Sequence, residues 1–196
     1  DMALSEDGSL AVASGDRPEI LVFDPHTGAT LGELKTDGNV THLALDADGT
    51  VLIALTQRHQ LACWRMSGEL SGAPLWSIKD AFTNIALDRR AACLLVTLDD
   101  GQLWSLRVSD GARMDQEQAH EGPLRVLDIS HDGRRAVTGG EDHACRSWQI
   151  GEDLKLEPLA TVKDLHRSGL DKATIHPSSE YAATSDHRGV IFQWKL

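Results

Sequence analysis

The sequence lacks most of the features that mark catalytic, redox or membrane proteins. It contains three cysteines in 196 residues, and none of them forms a Cys-x-x-Cys pair. No Gly-rich phosphate loop, nucleophile elbow or zinc-binding His pair occurs. No apolar run approaches the ~18 residues of a membrane helix, and no signal peptide begins the chain. These absences favour a protein that uses no cofactor, holds no metal and does not enter a membrane.

The chain also lacks positive charge. Its formal net charge is −11, and binding to nucleic acid phosphates requires a basic surface instead. The charge is uneven, because residues 1–40 contain eight acidic residues and two basic ones, Arg17 and Lys35. This acidic segment is either a solvated rim or a docking face for a basic partner.

The few cysteines lie in apolar, strand-like runs at Cys63, Cys93 and Cys145. Unpaired cysteines in such runs behave as small buried hydrophobic residues in a reducing compartment. We therefore expect a cytoplasmic protein.

Helical periodicity is absent as well, and short strand-like runs recur with a period near 40 residues. An apolar residue before a hairpin recurs at steps of 41, 42, 42 and 46, at Leu4, Leu45, Leu87, Ile129 and Ile175. An aromatic residue that closes a third strand recurs at steps of 41, 40, 44 and 46, at Phe23, Trp64, Trp104, Trp148 and Trp194. Two landmarks with similar spacing predict five repeats of one β-unit.

Tight turns separate the first two strands of each repeat. Asp-Gly pairs at Asp7, Asp48 and Asp132 supply the positive φ angle of a hairpin. Arg89-Arg90 occupies this place in the third repeat, and a turn over Pro177–Ser179 replaces it in the fifth. A longer loop is expected over Gly68–Pro74.

The fourth repeat, from Ala119 to Trp148, resembles one blade of the WD-repeat family. It matches the family at His120, Thr138, Asp142 and Trp148. The resemblance implies an all-β propeller and a hydrogen-bonded chain of these four side chains, which would satisfy their buried polar atoms. The expected repeats span residues 2–40, 41–82, 83–122, 123–170 and 171–196.

The other repeats depart from the family pattern. Six residues before the aromatic, where Asp142 stands in the fourth repeat, they carry Arg17, Arg58, Leu98 and Arg188. His166 and Thr184 indicate a partial network in the fifth repeat.

The strand count leaves the ring open. The fifth repeat has three strands, so we expect about five blades of which the last lacks its outer strand. An unpaired edge recruits another strand. The sequence therefore predicts that this chain is part of a larger propeller, or that another segment supplies the strand.

Candidate binding residues lie in the turns between the second and third strands, which meet on one propeller face. Loops on a rigid scaffold often carry function. The residues predicted there are Asp16, Arg17, Gln57, Arg58, Glu141, His143, His187 and Arg188. Their arginines form either surface salt bridges or a cationic spot for an acidic peptide. His59 and His143 occupy the same turn of two blades, and turn residues explain them better than a shared metal site.

The fold class does not determine a function. The first hypothesis is a non-enzymatic protein-interaction scaffold or sensor, the WD-repeat part of a larger intracellular protein, with NACHT-type nucleotide-switch architecture as one candidate for that protein. The second is an architectural subunit of a multiprotein complex. The third is an enzyme with an active site in the central channel, for which no convergent carboxylates or histidines are found. The expected partners are other proteins or the rest of a longer chain, with no nucleic acid and no membrane.

Overall fold

The computed structural model describes residues 1–66, 72–163, 166 and 168–196, and within them every regular element is a β-strand. Nineteen strands form four four-stranded sheets and one three-stranded sheet, all antiparallel and in chain order. The described residues include no helix that could cross a membrane. Residues 67–71, in the loop predicted over Gly68–Pro74, lie outside the described residues.

Each sheet forms one blade, numbered here from its innermost strand outwards. The first blade contains β1 (Met2–Leu4), β2 (Ala11–Ser14), β3 (Glu19–Phe23) and β4 (Thr30–Lys35). The second contains β5 (Val40–Leu45), β6 (Val51–Thr56), β7 (Gln60–Arg65) and β8 (Trp76–Lys79). The third contains β9 (Phe82–Leu87), β10 (Cys93–Leu98), β11 (Gln102–Arg107) and β12 (Arg113–Gln118).

The last two blades differ in their strand number. The fourth contains β13 (Leu124–Ile129), β14 (Arg135–Gly140), β15 (Cys145–Ile150) and β16 (Leu156–Val162). The fifth contains β17 (Leu170–Ile175), β18 (Tyr181–Asp186) and β19 (Ile191–Lys195). The predicted all-β class and the three-stranded fifth blade are confirmed.

The hydrophobic core lies between consecutive blades. One buried cluster joins the first and second blades through residues such as Val12 and Leu52, and the next joins the second and third through Leu61 and Leu94. Further clusters join the third to the fourth blade and the fourth to the fifth. No buried hydrophobic cluster of the described residues connects the first blade to the fifth. The second strands of blades two to four, β6, β10 and β14, are therefore buried on both faces.

The hairpin landmark identifies equivalent positions in all five blades. The residue after each landmark donates its amide to the carbonyl at the far end of the hairpin, at Ser5, Asp46, Asp88, Ser130 and His176. In the first four blades the side chain at this position also accepts the returning amide, as Ser130 Oγ does from Arg135 at 2.9 Å.

The aromatic landmark is wrong in the third blade. Trp148 pairs with Ala136 across the sheet, whereas Trp104 pairs with Val96, two residues further along its hairpin. The equivalent of Trp148 is Leu106, which pairs with Leu94. Trp104 instead packs edge-on against Phe82 at a centroid distance of 5.7 Å. An aromatic residue in a third strand therefore does not by itself fix the register.

The hairpin turn of the third blade also differs from its prediction. Gly8, Gly49 and Gly133 have positive φ angles of 69°, 66° and 70°, and the residue in this place in the third blade is Ala91, at 50°. The pair that replaces Asp-Gly is therefore Arg90-Ala91 and not Arg89-Arg90. In the fifth blade the same place is taken by Ser179, with φ 58°.

Candidate functional site

The four residues singled out in the fourth repeat form one hydrogen-bonded chain. Trp148 donates its indole N–H to Thr138 Oγ1 at 2.9 Å, and Thr138 Oγ1 lies 2.8 Å from His120 Nε2. His120 Nδ1 lies 2.8 Å from Asp142 Oδ1. A carboxylate can only accept, so Nδ1 carries the proton and Nε2 accepts the threonine hydroxyl. Each polar atom of the chain then has a partner.

A fifth residue, Arg146, completes this network and was missed in the sequence. Its guanidinium lies 2.8 Å from Asp142 Oδ2. Burial would raise the pKa of Asp142, but hydrogen bonds from His120 and Arg146 outweigh it and hold that pKa at about 2. Burial also lowers the pKa of His120, despite the opposing effect of Asp142. The imidazole is therefore neutral near pH 7.

Burial decides what this network can do. Thr138 and the His120 side chain are both inaccessible to solvent at 0% exposure, and Trp148 is 3% exposed. A substrate cannot reach a hydroxyl in this position. The arrangement therefore stabilises the blade, and it does not resemble a usable Ser-His-Asp relay.

The fifth blade contains a variant of the network that uses a different carboxylate. His166 Nε2 lies 2.9 Å from Thr184 Oγ1, and His166 Nδ1 lies 3.4 Å from Asp186 Oδ2. Asp186 is the register equivalent of Gly140, where a β-carbon would lie 2.8 Å from His120 Nδ1. The carboxylate of the fifth blade therefore lies near the histidine, but His166 Nδ1 forms no hydrogen bond among the described residues. Arg188 occupies the turn position that Asp142 holds in the fourth blade.

The second and third blades contain no such network. Ala54 pairs with Ala62 at the place of Thr138, and the buried Trp64 Nε1 has no hydrogen-bond partner among the described residues. In the third blade Trp104 donates instead to Gln102 Oε1 at 2.8 Å. The register also corrects the turn position there, which holds Asp100 and not Leu98.

The predicted binding residues all lie in the turns between second and third strands, at one end of the sheets. Four of these eight side chains lie in ion pairs among the described residues. Arg58 lies 2.6 Å from Asp37, Arg17 lies 3.7 Å from Glu19, and His187 lies 3.9 Å from Asp171. Glu141 is paired with Arg125. Arg188 is exposed and has no ion pair within the part of the chain that the structure describes.

The two turn histidines occupy turn positions with a left-handed backbone conformation, and one of them contacts a backbone carbonyl. His59 and His143 have positive φ angles of 60° and 58°, where the third and fifth blades place Gly101 and Gly189. His59 Nδ1 lies 2.9 Å from the carbonyl oxygen of Phe82. Among the described residues, no group of three or more His, Cys, Asp or Glu side chains could hold a metal ion.

These five sheets, with their shared register and inner-to-outer strand order, define a segment of a β-propeller. A family model described as "WD domain, G-beta repeat" matches residues 113–149. The chain is 27% identical over 126 residues to Protein groucho of Drosophila melanogaster. It is 26% identical over 104 residues to Guanine nucleotide-binding protein subunit beta-like protein 1 of Mus musculus. These matches support a WD-repeat family for the chain.

Each alignment covers a larger share of this chain than of the relative. They span 63% of this chain and 17% of the groucho protein, and 52% of this chain and 32% of the mouse protein. The family match begins at β12 and ends in β15. One sequence repeat therefore supplies the outer strand of one blade and three strands of the next.

Proposed function

We propose that the chain is a non-enzymatic protein-interaction module whose partner binds the face formed by the turns between second and third strands. The observation that carries this proposal is the contrast in burial between the two sets of polar residues. The histidine networks are enclosed within the blades, whereas the turn residues are exposed at the ends of rigid strands. Rigidly held, exposed loops are suited to recognition.

Arg17 and Arg188 are the residues on this face that are most available to a partner. The Arg17 side chain is 82% exposed, and its ion pair with Glu19 is long at 3.7 Å. Exposed pairs of this kind contribute little stability, so exchange for a partner's carboxylate costs little. Guanidinium groups can bind a carboxylate through two parallel hydrogen bonds. An acidic loop of a protein partner fits this face.

The finer assignment is also a proposal. A cytoplasmic sensor within a longer protein of NACHT-type architecture would bind either another protein or a different part of its own chain. The net charge of −11 supports protein partners over nucleic acid or anionic membranes. A nucleotide-binding loop elsewhere in the full-length protein would support the NACHT-type assignment, and its absence would contradict it.

Affinity capture with quantitative mass spectrometry tests the binding face. We expect the double variant Arg17→Ala/Arg188→Ala to lose partners that the wild-type chain retains. The matched control, Lys79→Ala/Lys155→Ala, removes the same charge from an outer strand and from the opposite end of the fourth blade. Equal loss in both variants, or no loss in the first, would reject the proposed face.

A further inference from the structure

The opposite face of the blades carries a second charged surface. It consists of the five hairpins between first and second strands. The hairpins of the first two blades, residues 5–10 and 46–50, contain four acidic residues and no basic one. The hairpins of the third and fourth blades, residues 88–92 and 130–135, contain four arginines, Arg89, Arg90, Arg134 and Arg135. The face is therefore divided into an acidic half and a basic half.

Contacts join the hairpins of the third and fourth blades. The Arg89 guanidinium contacts the ring of His131 in the next hairpin. Gly133 packs against Asp88, since a β-carbon on it would lie 3.1 Å from Asp88 Oδ2. Arg90 and Arg134 lie two residues and one residue after Asp88 and Gly133, so their backbones are held near this contact.

The carboxylates of these two hairpins are occupied by the turns themselves. Asp88 Oδ1 accepts the amides of Ala92 and Cys93 at 2.7 and 2.9 Å. Asp132 Oδ1 accepts the Ser130 hydroxyl at 2.6 Å and the Arg134 amide at 3.1 Å. Neither carboxylate lies in an ion pair with an arginine of the described residues.

Two of the four arginines are unpaired. Arg89 is paired with Glu6, and Arg135 donates to the carbonyl oxygen of Ser179 at 3.0 Å. Arg90 and Arg134 are exposed and form no ion pair within the described ranges. The turn does not require an arginine at the Arg90 position, because the first, second and fourth blades have aspartate there.

We propose that Arg90 and Arg134, here called the hairpin patch, bind an acidic peptide segment of a partner protein. Neighbouring guanidinium groups can each engage a carboxylate through paired hydrogen bonds. The acidic hairpins beside the patch limit the length of anion that fits. A long phosphate backbone would extend onto Glu6, Asp7 and Asp48 and be repelled, whereas a short acidic segment avoids them. The patch lies opposite the face assigned above, so the two proposals stand independently.

Fluorescence anisotropy with two labelled peptides tests the hairpin patch. The probe is a short fluorescein-labelled peptide of alternating Glu and Gly, and its uncharged counterpart has Gln in place of Glu. We expect the chain to bind the Glu peptide in a salt-sensitive manner and not to bind the Gln peptide. We expect Arg90→Glu/Arg134→Glu to weaken binding by about tenfold or more.

The matched control is Lys35→Glu/Lys79→Glu, which makes the same change in net charge at exposed residues of two outer strands, outside both proposed binding faces. It should bind the Glu peptide as the wild-type chain does. Arg90→Gln/Arg134→Gln should also weaken binding, and thermal melts of all variants establish that they fold. Equal weakening by both charge-reversed variants, no binding of the Glu peptide, or tighter binding of a single-stranded oligonucleotide of similar length would overturn the proposal.

Discussion

The fourth and second blades have the same strand order and register, yet they hold their third-strand tryptophan in different ways. Trp148 donates to Thr138, which is linked to His120 and Asp142. Trp64 occupies the equivalent place and is 2% exposed, but Ala54 replaces the threonine and the indole N–H has no partner among the described residues. A blade can therefore form without the polar network.

The second blade gains its order from apolar packing. Residues Leu52 to Leu55 are at most 1% exposed, and Leu61 and Cys63 are similarly buried. Burial of such side chains contributes about 1.5–3 kcal/mol each. In the fourth blade the corresponding strand is Ala136 to Gly139, which offers much less apolar surface. The comparison indicates that the network compensates for small side chains in β14.

The largest expected effect tests the network at its centre. Thr138→Ala removes the partner of both Trp148 and His120 in a fully buried place. We expect a loss of about 3 kcal/mol in the free energy of unfolding, measured by urea denaturation. Thr184→Ala in the fifth blade removes the partner of His166, so it should cost about half as much. Equal and small losses would show that the network does not stabilise the fourth blade.

Acid titration tests the carboxylate of the same network. The pKa of Asp142 is about 2 in the folded chain, below its ordinary value of 3.8. This group therefore contributes stability that is present above pH 4 and lost as the pH falls towards 2. The contribution is about 2 kcal/mol. Asp142→Asn should remove this part of the pH dependence, as seen in denaturation curves collected at each pH.

The exposed turn of the second blade supplies the control for that titration. Arg58 is the register equivalent of Asp142, and its side chain is 66% exposed beside Asp37. Arg58→Ala should cost less than about 0.5 kcal/mol at any pH. A loss as large as that of Asp142→Asn would contradict the proposed difference between the two turns.

The two tryptophans allow a direct comparison. Trp148→Phe removes a hydrogen bond, whereas Trp64→Phe removes an indole N–H that has no partner among the described residues. We expect Trp148→Phe to cost about 1 kcal/mol more than Trp64→Phe. Both changes remove similar apolar area, so unfolding free energies can be compared directly. The reverse order would indicate that Trp64 binds a polar group in solution.

The smallest expected effect concerns the hairpin turns. Ala91 has a φ angle of 50° at the place where the hairpins of the first, second and fourth blades have glycine. Ala91→Gly should relieve this conformation and stabilise the chain by about 0.5 kcal/mol, after the loss of packing is included. Gly133→Ala should destabilise it, since its β-carbon would approach Asp88. Differential scanning calorimetry would resolve the opposite signs, and a lower melting temperature for Ala91→Gly would contradict the argument.

The fold was accessible from the sequence because the hairpins carry a local signal. A short polar residue after each landmark and a positive φ angle three residues later recur at nearly constant spacing, as at Ser5 and Gly8. The side-chain network was accessible only in part. His120, Thr138, Asp142 and Trp148 match the WD-repeat pattern, and the resemblance implies their contacts, whereas Arg146 was not among the matched residues.

The errors have one physical origin, which is register. Trp104 was used as a reference for the third blade although it sits two residues from the place of Trp148. Counting from Trp104 therefore assigns Leu98 to the turn position that Asp100 holds. Asp186 was missed for a related reason, since the carboxylate near the histidine of the fifth blade lies at the end of the second strand and not in the turn. Cross-strand pairing, which the sequence does not display, decides both cases.

The offset between sequence repeat and blade has a consequence for transplanting this module. A segment cut at the blade boundary, from Leu124 onwards, would not contain His120. In a new scaffold Thr138 and Asp142 would then lack the imidazole that joins them. A segment cut from Arg113 to Gln149 carries His120, Thr138, Asp142 and Trp148 together, along with Arg146. The segment to transplant is therefore the one that spans two blades. After insertion it would supply the outer strand of one blade of the host and three strands of the next.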